Sequence, residues 1–233
     1  MTVREGFDVA VLDDREDDLA RACDQVEDLD YSVFSMLIRG PRQIDDVLDE
    51  VMDRGCHALI SDHRLHPRGG VNFDGAELVA RANERRLPAI LYSAYVEDDE
   101  ATTIRAWRYG IPRIVKKGPG SVYAIAEALQ IAQEESEGNR ALERQGFLTP
   151  IRVVDVHDHI GRPTLDVTIT AWQPDVPVTI PIALLPPGFR VRSTDLIDQI
   201  FLGEVNFYAD HESELFFRNL KAAPTPPAEW RAR

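Results

Sequence analysis

Apolar and polar positions divide this chain into two stretches of different period. Between residue 7 and about residue 133, five short apolar runs alternate with longer segments of helical spacing. The runs are DVAVL (8–12), YSVFSML (31–37), HALIS (57–61), PAILYS (88–93) and RIVK (113–116). Each is short and closed by polar or acidic residues, the pattern of a strand covered on both faces of a parallel sheet. Segments 17–29, 44–54, 76–86, 97–109 and 121–134 repeat apolar residues three and four apart, as in Ile44, Val47, Leu48 and Val51. That spacing predicts helices with one buried stripe. Five β–α units in succession predict a doubly wound α/β domain with a five-stranded parallel sheet, because parallel strands need helical crossovers.

A polar stretch, EESEGNRALERQ (134–145), breaks this pattern and reads either as the frayed end of the fifth helix or as a hydrophilic linker. The texture then turns to β: PIRVVDVHDHI, TLDVTITAW, VPVTIPIALL, FLGEVNFYA and ELFFRNL, punctuated by GRP (161–163), QPDVP (173–177) and LPPGF (185–189). Short strands at this spacing predict a small, mainly-β module, a barrel or a sandwich. The expected organisation is an α/β domain over 1–134, a helix end or linker over 135–145, a β-rich module over 146–222 and a disordered, proline-rich tail over 223–233. In ELFFRNL, Phe216 and Phe217 should face opposite sides of a strand, leaving one available to a partner.

Composition narrows the class. With 44% apolar and 28% charged residues the 233-residue chain is an ordinary globular sequence. No stretch reaches the roughly 18 consecutive apolar residues of a membrane span, and MTVREGFD lacks the apolar run of a signal peptide. Cys23 and Cys56 make no metal-type spacing and read as free thiols in a reducing compartment, so a cytoplasmic protein is expected. The net charge of −14 argues against nucleic acid as a partner, since phosphate binding draws on cationic groups. Arg105, Arg108, Arg113, Lys116 and Lys117, beside Arg81, Arg85 and Arg86, form the one basic stretch. It reads as a solvated helix face.

Chemistry in an open α/β sheet collects at the carboxyl ends of the strands. There the sequence places Asp13 and Asp14 (VLDDRED), Asp62 (LISDHRL), Ser93 (ILYSAY), and Lys116 and Lys117 (IVKKG). Singly, each has a plain structural reading as a cap, a turn residue or a surface charge. Together, three carboxylates, a hydroxyl and an ammonium are a phosphoryl-transfer set. The acids suit a hard divalent cation, a carboxylate can attack phosphorus, and the other two groups can bind phosphoryl oxygens.

This order of residues resembles that of response-regulator receiver domains, over roughly residues 7–133. The resemblance implies a flavodoxin-like topology, Asp62 as the phosphoacceptor, and Asp13 and Asp14 as acidic ligands of Mg²⁺ or Mn²⁺. Arg64 would add its backbone carbonyl to the metal, and Ser93 and Lys117, taken before Lys116, would contact the phosphoryl group. A histidine kinase or phosphotransfer protein would be the donor, and a homodimer is a further possibility in this family. The chain departs from the family in three places. The loop HRLHPRGGVNF before Asp74 and Gly75 is lengthened and should lie over the site. Lys117–Gly118 replaces the usual Lys-Pro with its customary cis bond, and Ile114 stands where many receivers carry a reporting aromatic, a role open to Tyr92, Tyr95 or Trp107. The output surface is expected over 96–109 and 113–116.

Two functions follow as expectations: a phosphorylation-controlled regulator whose β-rich module binds another protein, or a receiver-like adaptor without a phosphorylation-driven switch. Enzymatic activity would be at most receiver-type self-phosphorylation with slow hydrolysis. A haloacid-dehalogenase-type phosphatase is a poor competitor, because the residue two after Asp13 is Arg15 and not a second acid. In the β-rich half, Asp155, His157 and His159 alternate on one strand face and, with His211, form a candidate Zn²⁺ set. The competing reading is an exposed polar face with Val154, Val156 and Ile160 inward.

Overall fold

The computed structural model describes residues 7–94, 96, 100–118, 120–159, 162–189 and 196–224. The chain divides into two compact units, Met1–Ala141 and Leu142–Arg233.

The first unit runs β1 (Asp8–Asp13), α1 (Glu16–Glu27), β2 (Ser32–Leu37), α2 (Ile44–Asp53), β3 (Ala58–Ser61), α3 (His66–Gly69), α4 (Gly75–Glu84) and β4 (Ala89–Ser93). It continues with a π turn (Glu100–Ile104), α5 (Arg105–Trp107), a 3₁₀ turn (Arg108–Gly110), β5 (Ile114–Lys116) and α6 (Ser121–Ser136). All strand pairs are parallel, in the order β2-β1-β3-β4-β5. This is the doubly wound, flavodoxin-like order, and the direction of winding reverses at β1. Successive strand residues serve opposite faces. Ala10, Leu12, Leu59 and Leu91 pack with α2 and α4, whereas Val9, Val11, Ile60 and Ile90 pack with α1 and α6. The apolar runs were continuous for that reason.

The fourth helical segment differs from expectation. Residues 97–99 lie outside the described residues, and 100–110 form a π turn, a three-residue helix and a 3₁₀ turn in place of one helix. Thr102, Thr103 and Ile104 are β-branched in succession, which weakens a regular helix here. The same segment corrects the solvated-face reading of the basic stretch. Arg105 and Arg108 are 1% and 3% exposed. Three residues apart, they share the inward face, and the Arg108 guanidinium donates to the Ile111 carbonyl. Arg81, Arg85, Arg86 and Lys116 are exposed. Arg85 pairs with Asp45 and Asp49 of α2, and Arg81 lies over the Trp107 ring.

The lengthened loop after β3 is a packed plug. It forms α3, closes on Gly70 at φ +72°, and buries Leu65, Val71 and Phe73 in the core. Gly69 is needed for the approach, since a Cβ there would lie 3.0 Å from Ile38 and 3.6 Å from the Asp14 Cβ. The polar stretch after 133 first completes α6, which Gly138 stops at φ +95°. Arg140 then pairs with Glu135 at 3.0 Å and lies over the Tyr109 ring.

The second unit contains β6 (Phe147–His159), β7 (Arg162–Ile169), β8 (Gln173–Pro181), β9 (Ile200–Val205) and β10 (Phe217–Ala222). They form one antiparallel sheet, ordered β10-β9-β6-β7-β8. Ile151, Val153, Leu165, Val167, Val178, Ile180, Phe201, Val205, Phe217 and Leu220 face a single core. The 3₁₀ turn Ile182–Leu184, just after β8, touches both β7 and the opposite edge strand β10. The sheet is therefore rolled, with its edge strands unpaired to one another among the described residues. A mainly-β module was expected from sequence, and its described strands form one sheet.

Asn206 holds the turns at one end of this sheet. Fully buried, it donates to the Glu143 and Glu214 carbonyls at 2.8 and 3.0 Å and accepts from the Phe216 N–H at 2.7 Å. The reading that Phe216 or Phe217 is free for a partner is corrected here. Both are buried, at 0% and 3% exposure. Phe216 precedes β10 and is covered by the Arg144 guanidinium and by Gly146. The expected disordered tail falls, from residue 225 onward, outside the described residues.

Candidate functional site

Strand ends position the site. Asp13 is the last residue of β1, Asp62 follows the last residue of β3, Ser93 ends β4, and Lys117 follows β5. Ladder bonds continue past these ends and hold the backbone. The Ile38 N–H donates to the Asp13 carbonyl, Asp62 to Leu12, and Lys117 to Ser93, at 2.8, 2.9 and 3.0 Å. The acids lie at the β1–β3 crevice, where the winding reverses and ligands of such sheets bind.

The two central carboxylates are held in the same way. The Lys117 ammonium lies 2.7 Å from Asp13 Oδ2 and 2.7 Å from Asp62 Oδ1. The remaining oxygens accept from backbone N–H groups two residues on, Arg15 to Asp13 and Arg64 to Asp62, both at 2.9 Å. Asp14 completes a buried triad in which ligand oxygens of Asp13, Asp14 and Asp62 lie within 4.8 Å of one another. Two of the three carboxylates, Asp13 and Asp62, share the Lys117 ammonium. Burial pushes the Asp13 carboxyl above its ordinary range, against the lowering effect of Lys117, and the charge of Asp62 adds to the rise. Burial alone would depress Lys117, but Asp62 and Asp13 together hold its ammonium above the ordinary lysine value.

Of the paired lysines, Lys117 enters this arrangement and Lys116 is exposed. Ser93 is fully buried at the same edge. An open cleft of about 470 Å³ beside the triad is lined by Asp14, Arg15, Glu16, Asp17 and Arg39. The plug meets the site at Asp14 through Gly69, as its length suggested. Peptide bonds among the described residues are all trans.

No family model matches the chain, and no curated protein matches it. Solved structures do. The receiver domain of an HD domain-containing protein from Pseudomonas fluorescens is 21% identical, covers 59% of this chain and 94% of its own, and superposes with a TM-score of 0.41. A receiver domain protein from Clostridium thermocellum is 16% identical over 56% of this chain and 96% of its own, with a TM-score of 0.42. The anti-anti-sigma factor PhyR from Bartonella quintana is 15% identical over 59% of this chain and 51% of its own, with a TM-score of 0.41. The structural neighbours of the N-terminal part are response-regulator receiver domains. At these identities the fold is assigned by the parallel 2-1-3-4-5 strand order itself.

Several residues build this receiver-like edge in ways the sequence did not show, although Gly75 and Tyr92 were named there. Gly75 gives Asp62 its room, and a Cβ there would lie 1.7 Å from the Asp62 carbonyl oxygen. His63 is 1% exposed, with Nε2 2.8 Å from Thr103 Oγ1. Tyr92 joins Gln25 and Ser121. An Asp-Gly opening a helix was the available signal for Gly75. The other pairings join residues 29 to 67 positions apart and leave no local trace.

The histidines of the second unit assemble differently from the expected zinc set. A bulge in β6 between Val153 and Asp155 shifts the register. Val156 packs toward the core, as the polar-face reading had it, but before the bulge Val153 and not Val154 is the core residue, and Ile160 lies outside the described residues. His157 Nε2 is 2.9 Å from Asp166 Oδ2 and 3.9 Å from Asp155 Oδ2, and Asp166 also accepts from Thr179 at 2.7 Å. His211 is exposed, and the His159 side chain lies outside the described residues. Among the described residues, the acidic triad is the only metal-type cluster. The bond to Asp166 raises the His157 pKa, with Asp155 adding to it. The pair's contribution to stability is therefore complete below the ordinary histidine value of about 6.5. It disappears as pH rises through the raised value. An NMR titration of the His157 ring is expected to show the raised midpoint, and Asp166→Asn to return it toward the ordinary value.

Proposed function

We propose that the N-terminal unit is a receiver-type phosphoacceptor, taking a phosphoryl group on Asp62 from a histidine kinase or phosphotransfer protein, and that the β-rich unit is an output module for a protein partner. The observation that carries this is the Lys117 ammonium, 2.7 Å from both Asp13 and Asp62, within a buried carboxylate triad at the β1–β3 crevice.

The triad fits a divalent cation. Buried charge is costly unless compensated, and the single Lys117 ammonium is shared between two buried carboxylates, Asp13 and Asp62. The pKa of Asp13 is raised chiefly by burial, with the nearby Asp62 charge adding to the rise, which a bound cation would relieve. An all-oxygen donor set suits Mg²⁺ or Mn²⁺, with the Arg64 carbonyl as a further ligand. When bound, the ion neutralises charge on the phosphoryl oxygens. A carboxylate oxygen of Asp62 attacks phosphorus, so that the O–P bond forms as the P–N bond to the donor imidazole breaks and the leaving imidazole takes a proton. Lys117 already binds Asp62 and supplies a charged donor to a phosphoryl oxygen, and the Ser93 hydroxyl supplies a second.

Thermal unfolding tests this reading through its ligands. Mg²⁺ at about 100 times its Kd should stabilise the unit by about 2.7 kcal/mol. Beryllofluoride should raise the midpoint further in the wild type and add nothing in Asp62→Asn. A wild-type midpoint indifferent to both would contradict the assignment.

A further inference from the structure

The lysine that serves the site is followed in sequence by two glycines within three residues. Lys117 is followed by Gly118-Pro119-Gly120, and Gly118 has open space around its α-carbon. The family's rigid Lys-Pro step is absent, so the chain after β5 needs another restraint if the ammonium is to stay between Asp13 and Asp62. Tyr92 supplies one. It lies one residue before Ser93 and points to the opposite face of the sheet, where it is 4% exposed. Its ring lies under the Lys117 ammonium, 5.7 Å from nitrogen to centroid, within range of a cation–π attraction. Its hydroxyl lies within hydrogen-bond distance of Gln25 Oε1 of α1 and 2.9 Å from Ser121 Oγ at the start of α6, and its one proton serves either acceptor. Both partners return to the loop. Ser121 Oγ donates to the Gly118 carbonyl at 2.9 Å, and the Gln25 amide donates to the same carbonyl at 3.5 Å.

We propose that Tyr92, through Gln25 and Ser121, is the positioning residue for Lys117, clamping the Gly118 carbonyl and thereby holding the ammonium in the phosphoacceptor site. The clamp replaces by side-chain hydrogen bonds the stiffness that a proline would have provided. It rests on the phosphoacceptor reading for its effect on rate, but not for its effect on the loop. Tyr92→Phe keeps the ring, its packing and the cation–π contact, and removes only the hydroxyl that organises the network.

The test has two arms. In the protein without ligand, amide exchange is followed at Lys117, whose N–H donates to Ser93, and at Ser121, whose N–H donates to Gly118. Tyr92→Phe should speed both by about tenfold or more, leaving the β1 and β3 amides unchanged. With acetyl phosphate and Mg²⁺, kcat for phosphoryl uptake should fall about tenfold at unchanged KM. Ser121→Ala should do the same, and the double variant should fall no further than either single one, because the hydroxyls act as one unit. Unchanged exchange at both amides, or additive losses in the double variant, would overturn the clamp. If the wild type takes up no phosphoryl group, the phosphoacceptor reading fails, and the exchange arm alone decides the clamp.

Discussion

Gly75→Ala is expected to destabilise the N-terminal unit by about 3 kcal/mol or more, at the upper end of overpacking effects. Gly75 opens α4 directly beneath Asp62, and its N–H donates to the His63 carbonyl at 2.8 Å. An added Cβ would lie 1.7 Å from the Asp62 carbonyl oxygen, 2.7 Å from its carbon and 2.9 Å from Ser61 Oγ. Two of these atoms are backbone, so no rotamer change relieves the overlap. Either α4 withdraws or the end of β3 moves, and the second course displaces Asp62 from Lys117. Chemical denaturation measures the loss. Gly118→Ala is the contrast, since a Cβ at Gly118 meets nothing within 4 Å and its φ is not positive. That change should stay within about 0.5 kcal/mol. Equal stability of Gly75→Ala and the wild type would show that the α4–β3 packing is wrong.

Lys117→Met has the second large effect. It removes the one ammonium bonded to both Asp13 and Asp62, whose side chains are 2% and 9% exposed. Removing one partner of a buried ion pair costs about 3–5 kcal/mol, because the remaining charge is left without compensation. Here the deficit has a pH signature. Asp13 is already raised by burial, and loss of Lys117 raises it further. A carboxyl with a raised folded pKa penalises the native state above that value. The variant should therefore recover stability as pH falls from neutrality through the raised value toward the ordinary carboxylate range. Divalent cation should recover it at neutral pH. Phosphoryl uptake should slow by about a hundredfold or more, the loss typical of one preorganised donor. Lys116→Met, on an exposed side chain, should change stability by less than about 0.5 kcal/mol. A Lys117→Met protein as stable as the wild type at neutral pH would remove the electrostatic basis of the site.

The legible parts of this molecule are those that local spacing determines. A strand buried on both faces is a short apolar run, so β1, β3 and β4 were readable from DVAVL, HALIS and PAILYS. In a parallel sheet the residues at the strand ends converge whatever the details between them, and Asp13, Asp62, Ser93 and Lys117 were named for that reason. Features that depend on distant partners stayed hidden. Arg105 and Arg108 carry the composition of a wet surface, and only the turn of α5 takes them inside. Phe216 shows strand alternation, yet a segment about seventy residues earlier covers it. The inserted loop was recognised by its length, whereas its packing through Leu65, Val71 and Phe73 needed three dimensions. In the β-rich unit, extra residues in β6, β8 and β10 shift the register and defeat any simple period of two. Whether the sheet closed was likewise beyond local spacing, because rolling is decided by the contact of the turn after β8 with β10.

The most direct test of Asp62 as phosphoacceptor is intact-mass spectrometry of the full chain after incubation with acetyl phosphate and Mg²⁺. The wild type should gain the mass of one phosphoryl group, with the label acid-stable, base-labile and mapped to the peptide containing Asp62. Asp62→Asn should gain none. An unmodified wild type, or an equal gain in Asp62→Asn, would contradict the assignment.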